Sequence, residues 1–144
     1  MRNVVIAAAA AALLGGCAGH SNNRASAVRI GTVPAEPSEA VWHLRAGLNV
    51  AALLCKGRGR VAVAGAYQRF LVRHRALLSA AYRADQRRHG SGFERHETQL
   101  YNRFANQRDP AAFCRRSAEV AEQANQMSSA ALAERAGALL GRID

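Results

Sequence analysis

The chain has 144 residues, a length that suits one domain and argues against several. Its formal net charge is +10, from 20 basic and 10 acidic residues, and Lys56 is the only lysine among 19 arginines. The arginine excess fits either a GC-rich genome or a surface that contacts phosphate or carboxylate, because guanidinium binds both groups with two parallel hydrogen bonds. A domain this small buries a modest share of its surface and often needs a covalent cross-link.

The first residues have the composition of an export signal. Arg2 gives the amino end a positive charge, and an apolar run of eleven residues extends from Val4 to Leu14. That run is shorter than the roughly 20 residues of a membrane-spanning helix. A charged start, a short apolar middle and small residues after it are typical of a secretory signal. We therefore expect residues 1–16 to be a signal peptide that is cleaved on export.

The end of this signal, Leu14-Gly15-Gly16-Cys17, resembles the lipobox of bacterial lipoproteins, in which one aliphatic and two small residues precede a cysteine. The resemblance implies that Cys17 is diacylated, becomes the mature amino terminus and anchors the protein with its domain facing the periplasm. In that class an Asp after the cysteine retains many proteins at the inner membrane. Ala18 stands here instead, which favours the outer membrane. The alternative is ordinary signal cleavage near Ala18 or Ala27, which exports the chain without the anchor.

Composition divides the rest of the chain into two parts. Residues 17–37 are polar, contain proline and lack apolar periodicity, so we expect the lipid anchor and a flexible tether there. Residues 38–144 are expected to form the folded domain.

With Cys17 set aside, Cys55 and Cys114 remain, and an oxidising periplasm favours a disulfide between them. Closing a loop of about 60 residues stabilises the fold by about 4 kcal/mol in the chain-entropy model.

The pattern of the domain is helical throughout, without a strand signal, and it predicts an all-α fold. We expect a first helix from a cap at Ser38 to Cys55, a long second helix over residues 62–88 and a third over residues 93–106. Asp109-Pro110 is a helix start, and the fourth helix either runs to Leu140 or restarts near Ser128. Short connections favour an up-and-down bundle of about four helices, which brings Cys55 and Cys114 to one end.

Three short stretches carry a second resemblance. Residues 98–104 (TQLYNRF), the pair Phe113-Cys114, and residues 44–49 (LRAGLN) ahead of Cys55 look like small exported helical proteins of proteobacteria. The resemblance covers most of the mature chain. It implies no activity and no functional residues.

The basic charge is concentrated in one segment. Residues 56–95 hold ten basic and two acidic residues, whereas residues 96–144 hold six of each. A basic helix suggests an anionic counterpart, either Glu119 and Glu122 of this chain or an external partner. Candidate partners are anionic lipid, lipopolysaccharide, an acidic cell-wall polymer or an acidic protein, and the compartment argues against nucleic acid. The candidate binding residues are Arg58, Arg60, Arg69, Arg73, Arg83, Arg87 and Arg88.

No complete catalytic, metal or cofactor motif is present. His96-Glu97 begins like a zinc-protease helix but lacks the second histidine, and neither a nucleophile elbow nor a phosphate-binding loop occurs. His74 lies near the apolar face of helix two and is expected to be a hydrogen-bonded core residue, whereas His43, His89 and His96 are expected on the surface. No catalytic residue, metal ligand or cofactor is therefore predicted.

These observations favour a non-enzymatic envelope lipoprotein that binds or scaffolds an anionic component or a partner protein through its basic helix. One alternative is a small inhibitor or immunity-type protein that acts on another envelope protein. Another is a cell-envelope hydrolase with an unfamiliar site, in which His74 or Glu97 would be the acid-base group.

Overall fold

The computed structural model describes residues 37–55 and 57–144, and the regular structure within them is entirely helical. The predicted all-α class is therefore confirmed. The predicted signal peptide, Cys17 and the tether up to residue 36 lie outside the described residues. Within the described ranges, none of the helices combines the length and apolarity needed to cross a bilayer. The α-helices of these ranges are α1 (Pro37–Leu54), α2 (Gly57–Arg73), α3 (Arg75–His89), α4 (Phe93–Ala105), α5 (Pro110–Gln126) and α6 (Ser129–Ile143).

Helix α1 is the centre of the bundle and packs against each of the other five α-helices. Its residues from Ala40 to Leu44 are buried in succession, so this part of the helix is enclosed on all sides rather than on one face. Gly47 allows the closest approach, because a Cβ atom at this position would lie 2.7 Å from Ile143 Cδ1 of α6 and 3.0 Å from Phe104 Cε1 of α4. The lack of a Cβ atom at residue 47 thus allows the close spacing between α1 and its neighbours α4 and α6.

The directions of α3 and α4 relative to α1 are those expected for an up-and-down chain. Helix α4 runs in the same direction as α1, and α3 runs in the opposite direction. The pairs that show this are Trp42–Glu97 and Arg45–Tyr101 between α1 and α4, and Trp42–Tyr82 and Glu39–Arg88 between α1 and α3. One end of this arrangement brings together Cys55, just after α1, and Cys114, in the first turns of α5. They form the predicted disulfide, with a Cα–Cα distance of 5.7 Å.

The long second helix predicted over residues 62–88 is divided into two helices in the structure, α2 and α3. Helix α2 already begins at Gly57, and the chain leaves helical geometry at His74, with φ −105° and ψ 19°. The imidazole of His74 is buried, with Nε2 3.0 Å from the Ala124 carbonyl oxygen and Nδ1 3.0 Å from Ser129 Oγ. The kink therefore coincides with contacts to α5 and α6, and the prediction of a hydrogen-bonded core histidine is confirmed.

Two side-chain caps define the later helices. Asp109 accepts a hydrogen bond of 2.9 Å from the Ala112 amide, so the predicted Asp109-Pro110 start is confirmed. Ser128 accepts one of 3.2 Å from the Ala131 amide, and the chain restarts there as α6. These amides are among those that a helix start leaves without a backbone partner. At the first helix Ser38 is not the cap that we expected, because α1 includes Pro37 and Ser38 lies inside its first turn.

Candidate functional site

The predicted basic surface divides into arginines that contact the protein itself and arginines that face outward. Arg69 forms an ion pair with Glu122 of α5, and Arg73 Nε donates a hydrogen bond of 3.1 Å to the Met127 carbonyl oxygen. Glu122 is therefore an internal counterpart of the basic helix, as the sequence allowed. The side chains of Arg58 and Arg60 lie outside the described part of the structure.

Helix α3 carries the outward-facing arginines. Arg83 and Arg87 are exposed on the side of the helix opposite the buried Leu78 and Ala81, and Arg75 is exposed at the start of the same helix. Arg83 donates a hydrogen bond of 2.7 Å to Ser79 Oγ, which is a neutral partner.

Among the described residues, no carboxylate lies within 4.0 Å of Arg75, Arg83 or Arg87. Arg88, in contrast, reaches back to Glu39 of α1, with Nη1 3.0 Å from Oε2.

Most described carboxylates are engaged elsewhere, which explains why these arginines lack acidic neighbours. Four carboxylates form ion pairs with arginines outside the outer face of α3, one caps a helix, and one accepts the Trp42 indole hydrogen. The ion-paired carboxylates are those of Glu39, Glu119, Glu122 and Asp144. Asp109 is the cap, and Glu97 accepts the indole hydrogen bond. Asp85 is on the core side of α3. The outer face of α3, defined here by Arg75, Arg83 and Arg87, is thus left strongly positive.

The core side of α3 holds a cluster that the sequence did not predict. Asp85 and His89 occupy successive turns of α3, and they meet His43 of α1 and His96 of α4. The expectation that the three histidines are surface groups was wrong, because His43 is only 8 % exposed and the other two are half-buried. Asp85 is 1 % exposed.

The polar atoms of this cluster converge on a small volume. His43 Nε2 lies 3.1 Å from His96 Nε2, and His96 Nε2 lies 3.4 Å from Asp85 Oδ2. One ligand atom from each of these three residues lies within 4.8 Å of the others. His89 stacks on His96 with ring centroids 3.7 Å apart, and its Nε2 is 3.6 Å from Asp85 Oδ1.

Burial shifts the pKa of two members of the cluster, His43 and Asp85. It lowers the pKa of His43 to about 4, an effect that the neighbouring His96 reinforces, so the imidazole is neutral at neutral pH and keeps a lone pair for a ligand. Burial also raises the pKa of the Asp85 carboxyl, whereas His96 and His89 act in the opposite direction. Within the described residues, neither oxygen of Asp85 accepts a hydrogen bond. The cluster could hold a cation, because neutral imidazoles and a carboxylate are common metal ligands.

One local signal for this cluster is present in the sequence. Asp85 and His89 are four residues apart, which places them on one face of a helix. His43 and His96 could not be joined to them from the sequence, because periodicity within one helix does not show which helices meet.

The two groups proposed for a hydrolase both make structural contacts. His74 uses both ring nitrogens in contacts to α5 and α6, and Glu97 Oε1 accepts a hydrogen bond of 2.8 Å from the Trp42 indole. Their positions follow from helix packing.

In comparisons with protein-family models, with curated proteins and with solved structures, nothing matches this chain.

Proposed function

We propose that the protein is an exported, non-enzymatic lipoprotein of the bacterial envelope that binds an anionic component through the outer face of α3. Cys17 carries the lipid anchor, residues 18–36 are the tether, and the helical domain faces the periplasm, most naturally from the outer membrane. The observation that carries the binding proposal is the set of exposed arginines on α3 without acidic neighbours.

The physical argument concerns like charges that the fold itself does not neutralise. Arg83 and Arg87 are four residues apart on one helix, a spacing at which like charges cost a few tenths of a kcal/mol. An anionic partner offsets this repulsion, and guanidinium groups bind phosphate or carboxylate oxygens in pairs. Phosphate-bearing lipid, lipopolysaccharide, an acidic polymer and an acidic protein share this chemistry.

The test is vesicle binding by residues 18–144, which contain the whole described core but no acyl chain. We expect salt-sensitive binding to vesicles that contain phosphatidylglycerol and little binding to phosphatidylcholine alone. Each basic side chain near an anionic surface contributes about 1 kcal/mol, so Arg83→Gln/Arg87→Gln should weaken binding roughly 30-fold.

The matched control is Arg115→Gln/Arg135→Gln, which removes the same charge from exposed positions on α5 and α6. Its binding should stay much closer to that of the unchanged chain. Equal losses in the two double variants would show that net charge, and not the outer face of α3, determines binding. Insensitivity of binding to salt would contradict the electrostatic basis of the proposal.

A further inference from the structure

We propose that His43, Asp85 and His96 form a binding site for a divalent first-row transition-metal ion, with Zn²⁺ as the reference ion. The site is independent of anionic-partner binding, because it lies on the core side of α3 and uses none of the outer-face arginines. Its three ligands come from three helices, α1, α3 and α4.

The spacing of the donor atoms suits a small ion. Tetrahedral zinc sites have metal–nitrogen and metal–oxygen bonds of about 2.0–2.2 Å, which places neighbouring donor atoms about 3.4 Å apart. Two of the three separations here are 3.1 Å between His43 Nε2 and His96 Nε2, and 3.4 Å between His96 Nε2 and Asp85 Oδ2, and the third pair, His43 with Asp85, lies within 4.8 Å. Small side-chain adjustments therefore suffice to seat the ion among the three donors.

The second observation is the unsatisfied carboxylate. Asp85 is 1 % exposed, and within the described residues neither of its oxygens accepts a hydrogen bond. His89 Nε2, 3.6 Å from Asp85 Oδ1, also lacks a hydrogen-bond partner there. A buried carboxylate without a partner is strongly unfavourable, so native proteins pair it with a cation or a donor. A metal ion among the three ligands supplies the missing positive charge. The competing explanation is a protonated His96 that acts as the counter-ion of Asp85.

The ligand types decide the class of ion. Ca²⁺ and Mg²⁺ prefer oxygen ligands alone, whereas two imidazoles and one carboxylate suit Zn²⁺ and its first-row neighbours. His89 is a positioning residue, because it stacks on His96 and faces the second Asp85 oxygen at 3.6 Å. Three ligands leave a fourth coordination position open for water or an external group.

The experiment uses the full-length chain, purified in detergent through a tag that contains no histidine and stripped with EDTA. We expect one Zn²⁺ ion per chain by calorimetric titration and by elemental analysis, and a melting temperature that rises with Zn²⁺ concentration. Asp85→Asn and His96→Gln should each weaken Zn²⁺ binding at least about tenfold. Co²⁺ should give the visible absorption of a four-coordinate site in the unchanged chain and lose it in both variants.

Asp85→Asn also separates metal binding from simple structural loss. Without metal, this variant should melt at a higher temperature than the unchanged chain, because it removes an unpaired buried charge. Glu94→Gln is the matched control, since it removes an exposed carboxylate from the same helix as His96 and should leave Zn²⁺ binding unchanged.

Three outcomes would overturn the metal site. The first is no Zn²⁺-dependent rise in the melting temperature of the unchanged chain. The second is equal Zn²⁺ affinity in Asp85→Asn, His96→Gln and Glu94→Gln. The third is a lower melting temperature of metal-free Asp85→Asn than of the metal-free unchanged chain, which would identify Asp85 as the counter-ion of a protonated histidine.

Discussion

His74 shows how a single side chain connects three helices. It stands between α2 and α3, is 1 % exposed, and makes contacts of 3.0 Å to both the Ala124 carbonyl and Ser129 Oγ. Burial lowers its pKa below the ordinary value of 6.5, and the hydrogen bond to Ala124 opposes that effect without cancelling it. The folded protein therefore holds His74 in its neutral form.

This neutral histidine predicts a pH dependence of stability. As the pH falls below about 6.5, His74 binds a proton in the unfolded chain before it does so in the folded one, so the free energy of unfolding decreases. The decrease ends once the pH reaches the lower folded-state pKa. His74→Gln keeps a polar side chain without a titrating group and should show a smaller decrease between pH 7.5 and 5.5. Urea unfolding at both pH values measures the difference, and parallel profiles of the two proteins would contradict this role.

The histidines also show what could be predicted at the scale of residues. His74 was predicted because it lies between Leu71 and Leu78, near the apolar face of the predicted second helix. His43 and His96 belong to helices whose contact depends on the packing of the whole bundle. Local periodicity contains no information on that contact, so the cluster with Asp85 became visible only in the structure.

At the scale of elements, Gly47 determines how closely α1 approaches α4 and α6. Glycine to alanine within a helix normally stabilises by up to about 1 kcal/mol. At residue 47 the added methyl group would lie 2.7 Å from Ile143 Cδ1, and overpacking of this kind costs about 1–3 kcal/mol. We therefore expect Gly47→Ala to lower the free energy of unfolding, measured by urea denaturation.

Gly137→Ala in α6 is the matched control for this substitution. A Cβ atom at residue 137 meets nothing within 4 Å, so the helix propensity acts alone and should stabilise the protein slightly. If the two alanine variants change stability in the same direction, the close approach at Gly47 does not constrain the bundle.

Helix ends were predictable where the signal is local. Asp109-Pro110 and Ser128 act through hydrogen bonds to amides three residues later, so the sequence alone indicates them. The break at His74 was not predicted, because it coincides with contacts to α5 and α6 that are distant in sequence. Contacts distant in sequence thus coincide with the division of the predicted second helix into α2 and α3, whereas the separate α6 follows from the local signal at Ser128.

For the whole molecule, the up-and-down topology and the disulfide were predicted together. Alternating helix directions placed Cys55 and Cys114 at one end, and the structure confirms the bond. The enclosed position of α1 was not predicted. A pattern of apolar residues at spacings of three and four indicates one buried face. The buried residues of α1 lie on every side of the helix between Ala40 and Ala51, and they include small residues and the polar His43.

Mass spectrometry of membrane-extracted protein tests the assignment of all three cysteines. We expect a diacylated amino-terminal Cys17, no residues before it, and a peptide pair linked through Cys55 and Cys114 that separates on reduction. A mature chain that begins after Cys17 would contradict the anchor. A free thiol at Cys55 or Cys114 in the native protein would contradict a stable cross-link.

The contact between Gly47 and Ile143 has a consequence for biosynthesis. The ribosome releases α1 first, but one of the side chains that enclose α1 lies near the carboxyl end of the sequence. A fragment that lacks α6 therefore cannot complete the core, and the part of α1 that packs against α6 stays uncovered until α6 has been made. Nascent chains of this protein must therefore be kept from aggregating until α6 has emerged.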